Sequence, residues 1–122
     1  MKLRVLLVDD DQEQLDLFGR VLRRQGFIVE TSDSPFGTTN LVRSFEPDVV
    51  LLDLEMPAIR GDQLVSVIRD RLGPNKTKIL LFSATDEDEL REHCADVDAD
   101  GYLPKTTDGP VLRLRILELT KR

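Results

Sequence analysis

Cysteine and aromatic residues are scarce in this sequence of 122 residues, which has one cysteine, Cys94, no tryptophan and one tyrosine. A lone cysteine cannot form a disulfide within the chain. The sequence also lacks a run of about eighteen apolar residues and any signal-peptide pattern. These absences favour a soluble protein of a reducing, cytoplasmic compartment with no membrane segment.

Positive charge is outweighed by negative charge, and the formal net charge is −6 at pH 7. Such a chain repels nucleic-acid phosphates at long range. The few aromatic residues provide no platform on which single-stranded bases could stack. Direct nucleic-acid binding by this segment is therefore disfavoured.

The sequence shows no internal repeat, no low-complexity tract and no shift in composition that would mark a linker. Its apolar content of 40% over 122 residues suffices for one hydrophobic core. We therefore expect a single domain over residues 1–122.

Short apolar runs rich in valine, leucine and isoleucine predict strands buried on both faces. These runs are Leu3–Val8, Val49–Leu52 and Ile79–Phe82. The segments Phe27–Thr31 and Gly101–Leu103 predict two further short strands.

The segments between these strands carry apolar residues at helical spacing. The stripes are Leu15, Phe18 and Leu22, then Leu64, Ile68 and Leu72, then Leu90, Cys94 and Val97. Ser34–Phe45 has weaker helical patterning, and Asp108-Gly109-Pro110 is a start signal for a last helix over Val111–Leu119. Five strands alternating with five helices predict a doubly wound, flavodoxin-like α/β fold with a parallel sheet in the order 2-1-3-4-5.

Polar residues follow the predicted strands, whose carboxyl ends share one edge of a parallel sheet. After the first strand come Asp9, Asp10 and Asp11, after the third Asp53 and Glu55, after the fourth Ser83 and Thr85, and after the fifth Lys105. Any one of these residues alone could serve as a helix cap or turn residue, and we interpret Asp11 as a cap.

Carboxylates gathered at one edge oppose each other's ionisation unless a cation is held between them. Mg²⁺ prefers oxygen ligands of this kind. A zinc site is disfavoured because His93 and Cys94 lie in mid-helix, where we interpret Cys94 as core and His93 as surface. A carboxylate such as Asp53, a neighbouring hydroxyl and the Lys105 ammonium are the groups that phosphoryl transfer requires.

Blocks of sequence in a fixed order carry a family resemblance. They are LLVDDD at 6–11, PDVVLLDLEMP at 47–57, Gly61 after the Met-Pro turn, and ADGYLPK at 99–105. In this order and spacing the chain resembles, nearly end to end, the response-regulator receiver domains of two-component systems, the CheY-like family.

The resemblance implies a role for each site residue. Asp53 would be the phosphoacceptor, Asp10 a direct Mg²⁺ ligand, Asp9 a ligand through water and the Glu55 backbone carbonyl a third ligand, while Ser83 and Lys105 would bind phosphoryl oxygens. Ser83 and Tyr102 would then move and remodel the surface of the fourth helix, fifth strand and fifth helix. Such a protein catalyses its own phosphorylation and dephosphorylation and is not an enzyme in the ordinary sense.

The resemblance also implies partners. The donor would be a sensor histidine kinase or a phosphotransfer protein that docks on the first helix. A homodimer could form through the fourth helix, fifth strand and fifth helix. Arg113 and Arg115 of the last helix could then form ion pairs with acidic residues of the fourth helix such as Glu87 and Glu89, although exposed charges of this kind more often form a solvated face.

Two positions depart from the family pattern. Thr106 stands where the family usually has a proline that follows the lysine through a cis bond. A cis bond before a residue other than proline costs about 3 kcal/mol, so the Lys105–Thr106 bond is either strained or trans with a re-aimed lysine. Glu55 adds an anionic side chain near the acceptor, and we expect it to alter the rates of phosphotransfer or hydrolysis.

Three other functions remain open. A pseudo-receiver would keep the fold as an interaction module without phosphorylation. An aspartate-nucleophile phosphohydrolase would need a second aspartate where this chain has Glu55, and a cap domain for which the chain lacks length. A flavin or dinucleotide site is disfavoured because the first strand leads into aspartates and not into a glycine-rich phosphate cradle.

Overall fold

Strands and helices alternate along the chain in the computed structural model. The residues described are 2–53, 61–72, 77–97 and 99–121. At positions 35, 36, 61, 62, 71 and 72 only the backbone is described. In chain order the elements are β1 (Arg4–Val8), α1 (Gln12–Arg24), β2 (Ile28–Ser32), α2 (Pro35–Phe45), β3 (Val49–Leu52), α3 (Gly61–Leu72), β4 (Lys78–Ser83), α4 (Glu87–Asp96), β5 (Gly101–Pro104) and α5 (Gly109–Thr120). Neighbouring strands pair in parallel in the order β2-β1-β3-β4-β5. The predicted doubly wound α/β fold and its strand order are confirmed.

The predicted ends of β3 agree with the observed ones, whereas several other element ends differ by one or two residues, and at β2 and α5 local hydrogen bonds give the reason. The Phe27 amide bonds to the Leu22 carbonyl at the end of α1, so β2 begins at Ile28. At α5, Asp108 accepts a bond from the Val111 amide, and the helix therefore starts at Gly109. Asp11 caps α1 as interpreted from the sequence, because its side chain accepts from the Glu13 amide.

The central strands send alternate side chains to opposite faces of the sheet. Val5 and Leu7 join a core with α1 and α5, where the rings of Phe18 and Phe82 meet edge to face at 4.7 Å. The opposite face packs against α2, α3 and α4, with Val42, Val65 and Leu90 among its buried residues. β1, β3 and β4 are buried on both faces as predicted, which fixes the strand ends that carry the polar residues.

Cys94 is half-buried beside this second core, so the interpretation of it as core holds in part, and His93 is exposed as expected. The edge of the sheet where the strands begin is held by Asp100, whose Oδ2 accepts bonds from the Ile79 amide and from Arg69 Nη2, each at 2.8 Å. Within the described ranges, no helix has the length and apolar character needed to cross a membrane.

Candidate functional site

Asp9 and Asp53 lie side by side at the carboxyl edge of the sheet. Val8 and Leu52 are register partners in the pairing of β1 with β3, and each aspartate follows one of them. The Asp53 amide donates to the Val8 carbonyl at 3.0 Å, which extends this ladder by one bond. Both aspartates are buried, with 2% of Asp9 and 6% of Asp53 exposed.

Lys105 brings its ammonium between these two carboxylates from the end of β5. Its Nζ lies 2.5 Å from Asp9 Oδ2 and 3.5 Å from Asp53 Oδ2. The other oxygen of Asp9 accepts from the Asp11 amide at 3.0 Å, so both oxygens of Asp9 are engaged. Because the three side chains are almost shielded from water, screening of this charge cluster is weak.

The described part of the chain contains no cis peptide bond, so the Lys105–Thr106 bond is trans. Of the two alternatives left open by the sequence, the trans bond is therefore the observed one. Lys105 nevertheless reaches both carboxylates. Its backbone amide also donates to the Ser83 carbonyl at 2.9 Å, which holds the start of the loop against β4.

Asp10 completes a cluster of three carboxylates. One oxygen each from Asp9, Asp10 and Asp53 lies within 4.8 Å of the others, and Asp10 is exposed while the other two are buried. Both oxygens of Asp9 are engaged, and Asp10 is the exposed member of the cluster. Three carboxylates at this spacing suit a hard divalent cation such as Mg²⁺.

Ser83 ends β4 and has no exposed surface. Its Oγ lies 3.0 Å from Thr85 Oγ1, and either hydroxyl could donate in this pair. The Thr85 amide also donates to Ser83 Oγ at 3.3 Å. The Ser83 hydroxyl is thus held by a threonine two residues further along the same loop.

Tyr102 links β5 to α4. Its hydroxyl accepts a bond from Arg91 Nε at 3.0 Å, while Arg91 Nη1 lies 3.5 Å from Asp88. The bond to Tyr102 and the nearby charge of Asp88 raise the pKa of Arg91. The ring of Tyr102 packs against the core beneath α4.

The structure thus brings together four of the residues selected from the sequence, Asp9, Asp10, Asp53 and Lys105. Ser83 lies at the end of the strand next to β3, and Tyr102 is paired with Arg91 of α4. Glu55 lies outside the described residues. Sequence reasoning assigned no role to Thr85 or Arg91, although the Ser-x-Thr spacing at the end of β4 was a usable signal for the first of them.

Chemically, this arrangement presents a carboxylate nucleophile, an ammonium and a nearby hydroxyl at the rim of a rigid sheet. Asp53 can attack an electrophile in line, and Lys105 can neutralise negative charge that arrives with it. An electrophilic phosphoryl group meets both requirements.

Comparisons with known proteins agree with this reading of the fold and sequence. The chain matches the family model of the response regulator receiver domain over residues 5–117. It is 33% identical over 118 residues to protein PetR of Rhodobacter capsulatus, and the aligned region covers 97% of this chain and 48% of that protein. It is 32% identical over 122 residues to response regulator MprA of Mycolicibacterium vanbaalenii, and the aligned region covers 100% of this chain and 52% of that protein.

A solved structure of a response-regulator signal receiver domain from Bermanella marisrubri is also similar, with a TM-score of 0.84, 34% identity and coverage of 99% of this chain and 100% of that one. The chain spans about half the length of the two curated relatives. The match to the family model covers most of the chain. The chain therefore belongs to the family of response regulator receiver domains.

Proposed function

We propose that this chain accepts a phosphoryl group from a phosphohistidine on Asp53 and works as the receiver in cytoplasmic two-component signalling. The observation that supports this most strongly is the buried Asp53 carboxylate with the Lys105 ammonium 3.5 Å away. A buried carboxylate held beside a shared ammonium is suited to attack an anionic electrophile, because the ammonium offsets the charge that the electrophile brings.

The transfer forms one bond and breaks one bond. An oxygen of Asp53 attacks phosphorus while the bond from phosphorus to the histidine nitrogen breaks, and the imidazole keeps the electron pair. The product is an acyl phosphate on Asp53. In hydrolysis, water attacks phosphorus, the bond to the Asp53 oxygen breaks, and the carboxylate and inorganic phosphate are released.

Lys105 pairs with one phosphoryl oxygen in this proposal, and Ser83 donates its hydroxyl to another. Asp10 and Asp53 would bind Mg²⁺ directly together with the Glu55 carbonyl, and Asp9 would bind it through water. When bound, Mg²⁺ would neutralise charge on the phosphoryl oxygens. We further propose that Ser83 and Tyr102 shift on phosphorylation and change the surface formed by α4, β5 and α5.

The test is the intact mass of the protein after incubation with acetyl phosphate and Mg²⁺. We expect the mass to rise by one phosphoryl group, and we expect the gain to be lost when EDTA replaces Mg²⁺. Treatment with hydroxylamine should remove the group, because an acyl phosphate is labile to this nucleophile. An unchanged mass under all conditions would favour a pseudo-receiver that binds partners without being phosphorylated.

Two partners follow from the proposal. One is a protein that carries phosphohistidine, either a sensor histidine kinase or a phosphotransfer protein, and α1 is its proposed docking face.

The other partner is a second copy of this chain. The outer face of α5 exposes apolar residues, with Val111 at 45% and Leu114 at 56%, and α4 is acidic in its first turn. Arg113 and Arg115 of α5 can face those acidic residues across a two-fold axis.

The dimer proposal predicts that Leu114→Gln weakens self-association of the phosphorylated protein about tenfold. Leu114 is more than half exposed, so the fold should lose little stability. Leu17→Gln is the matched control because Leu17 is 46% exposed on α1, away from the proposed interface. Sedimentation equilibrium measures both variants, and equal weakening by the two would contradict this interface.

A further inference from the structure

Arg91 of α4 holds the Tyr102 hydroxyl through a guanidinium that is itself tethered to a second residue. The Tyr102 hydroxyl accepts a bond from Arg91 Nε at 3.0 Å. The Nη1 atom of the same guanidinium lies 3.5 Å from Asp88 Oδ1, one helical turn earlier. Because the guanidinium is planar and rigid, the contact with Asp88 also restricts the direction in which Nε donates. Arg91 is therefore aimed at the phenol oxygen.

The sheet places the Tyr102 and Ser83 side chains on the same face. Tyr102 is the register partner of Leu81 in the pairing of β4 with β5, and Ser83 follows Leu81 by two residues. Side chains two residues apart on a strand point to the same face. Leu81 and Tyr102 both belong to the core that α4 covers. A movement of the Ser83 side chain toward a phosphoryl group would therefore free space on the face where the Tyr102 ring lies.

The position of β5 allows the Tyr102 ring to turn without displacing a strand. β5 is at the edge of the sheet and, among the described strands, pairs only with β4. Tyr102 is half-buried, whereas the next residue, Leu103, is buried in the core on the opposite face. The bond from Arg91 therefore opposes a movement that the strand itself permits.

We propose that Arg91 is a latch, a residue whose bond to the Tyr102 hydroxyl holds the ring in its resting position and has to break when the ring shifts. This inference rests on the proposed phosphorylation of Asp53 and the proposed shift of Tyr102. Arg91 acts through Tyr102 and is a positioning residue. Because its bond stabilises only the resting state, a ligand that favours the shifted state binds more weakly than it would without the latch.

The test compares the wild type with Arg91→Gln. The probe is beryllofluoride with Mg²⁺, a non-covalent mimic of the phosphoryl group, and its affinity is measured by NMR titration. We expect Arg91→Gln to bind beryllofluoride about threefold more tightly, which corresponds to one hydrogen bond at an exposed site. Arg24→Gln is the matched control, because it removes the same charge from an exposed arginine in the last turn of α1, on the other face of the sheet. This variant should keep the wild-type affinity.

Tyrosine fluorescence gives a second, independent measurement. The sequence has one tyrosine and no tryptophan, so this signal reports on Tyr102 alone. Beryllofluoride should change the fluorescence of the wild type, and the free Arg91→Gln protein should already show part of that change. Binding of beryllofluoride without any change in fluorescence would overturn the proposal, because the ring would then keep its surroundings.

A Tyr102→Phe background separates the latch from a general effect of the Arg91 charge. Phenylalanine keeps the ring but removes the acceptor, so Arg91→Gln should have no further effect on beryllofluoride affinity in that background. An equal gain in both backgrounds would overturn the proposal, and so would wild-type affinity in Arg91→Gln. Failure of the wild-type protein to bind beryllofluoride and to take up a phosphoryl group would overturn the proposed function, and the latch with it.

Discussion

Replacing Asp53 with asparagine is expected to abolish uptake of a phosphoryl group from acetyl phosphate, with a rate loss of at least about a thousandfold. Asparagine has nearly the shape of aspartate, but its neutral amide oxygen is a far weaker nucleophile than a carboxylate. The substitution also leaves the backbone bond from position 53 to the Val8 carbonyl in place. Intact mass spectrometry over a time course measures the loss.

Asp33→Asn is the matched control for this experiment. Asp33 is exposed and directly follows β2, which lies on the opposite side of β1 from β3. The control therefore makes the same chemical change at the same edge of the sheet but on a different strand. This variant should take up the phosphoryl group at the wild-type rate. A phosphoryl group retained by Asp53→Asn would show that the acceptor lies elsewhere, and peptide mapping would locate it.

The fold could be predicted because its strongest signals are local. The runs in β1, β3 and β4 are apolar at every position of their centres, which is typical of strands covered on both faces. Alternation with amphipathic helices then left few possible topologies. The element ends were harder because they depend on single bonds, such as that from the Phe27 amide to the Leu22 carbonyl.

The site could be predicted only as far as the backbone determines it. Strand order and parallel pairing place Asp9 beside Asp53 whatever their side chains do. The sharing of the Lys105 ammonium between them depends on side-chain rotamers that no sequence pattern encodes. The same holds for the bond between Arg91 and Tyr102, which requires the packing of α4 against β5.

Lys105→Met is expected to lower the free energy of unfolding by about 3 kcal/mol in the absence of divalent cations. Methionine keeps much of the length and apolar stem of lysine, so the loss comes mainly from the charge. The Lys105 ammonium lies 2.5 Å from Asp9 Oδ2 and 3.5 Å from Asp53 Oδ2, and the two carboxylate side chains are only 3% and 8% exposed. Without the ammonium, these buried charges repel each other and that of Asp10 with little screening. Urea unfolding in EDTA measures the loss, and Lys78→Met at the other edge of the sheet is the matched control.

Two further measurements identify electrostatic repulsion as the cause. Millimolar Mg²⁺ should restore more stability to Lys105→Met than to the wild type, because a cation bound at the carboxylates stabilises the folded state by mass action. In an Asp53→Asn background, Lys105→Met should cost clearly less, since one of the repelling charges is already gone. Equal costs in both backgrounds, together with no preferential recovery in Mg²⁺, would instead attribute the loss to packing of the lysine stem. The ammonium of Lys105 would then have no measurable share in holding the acidic cluster together.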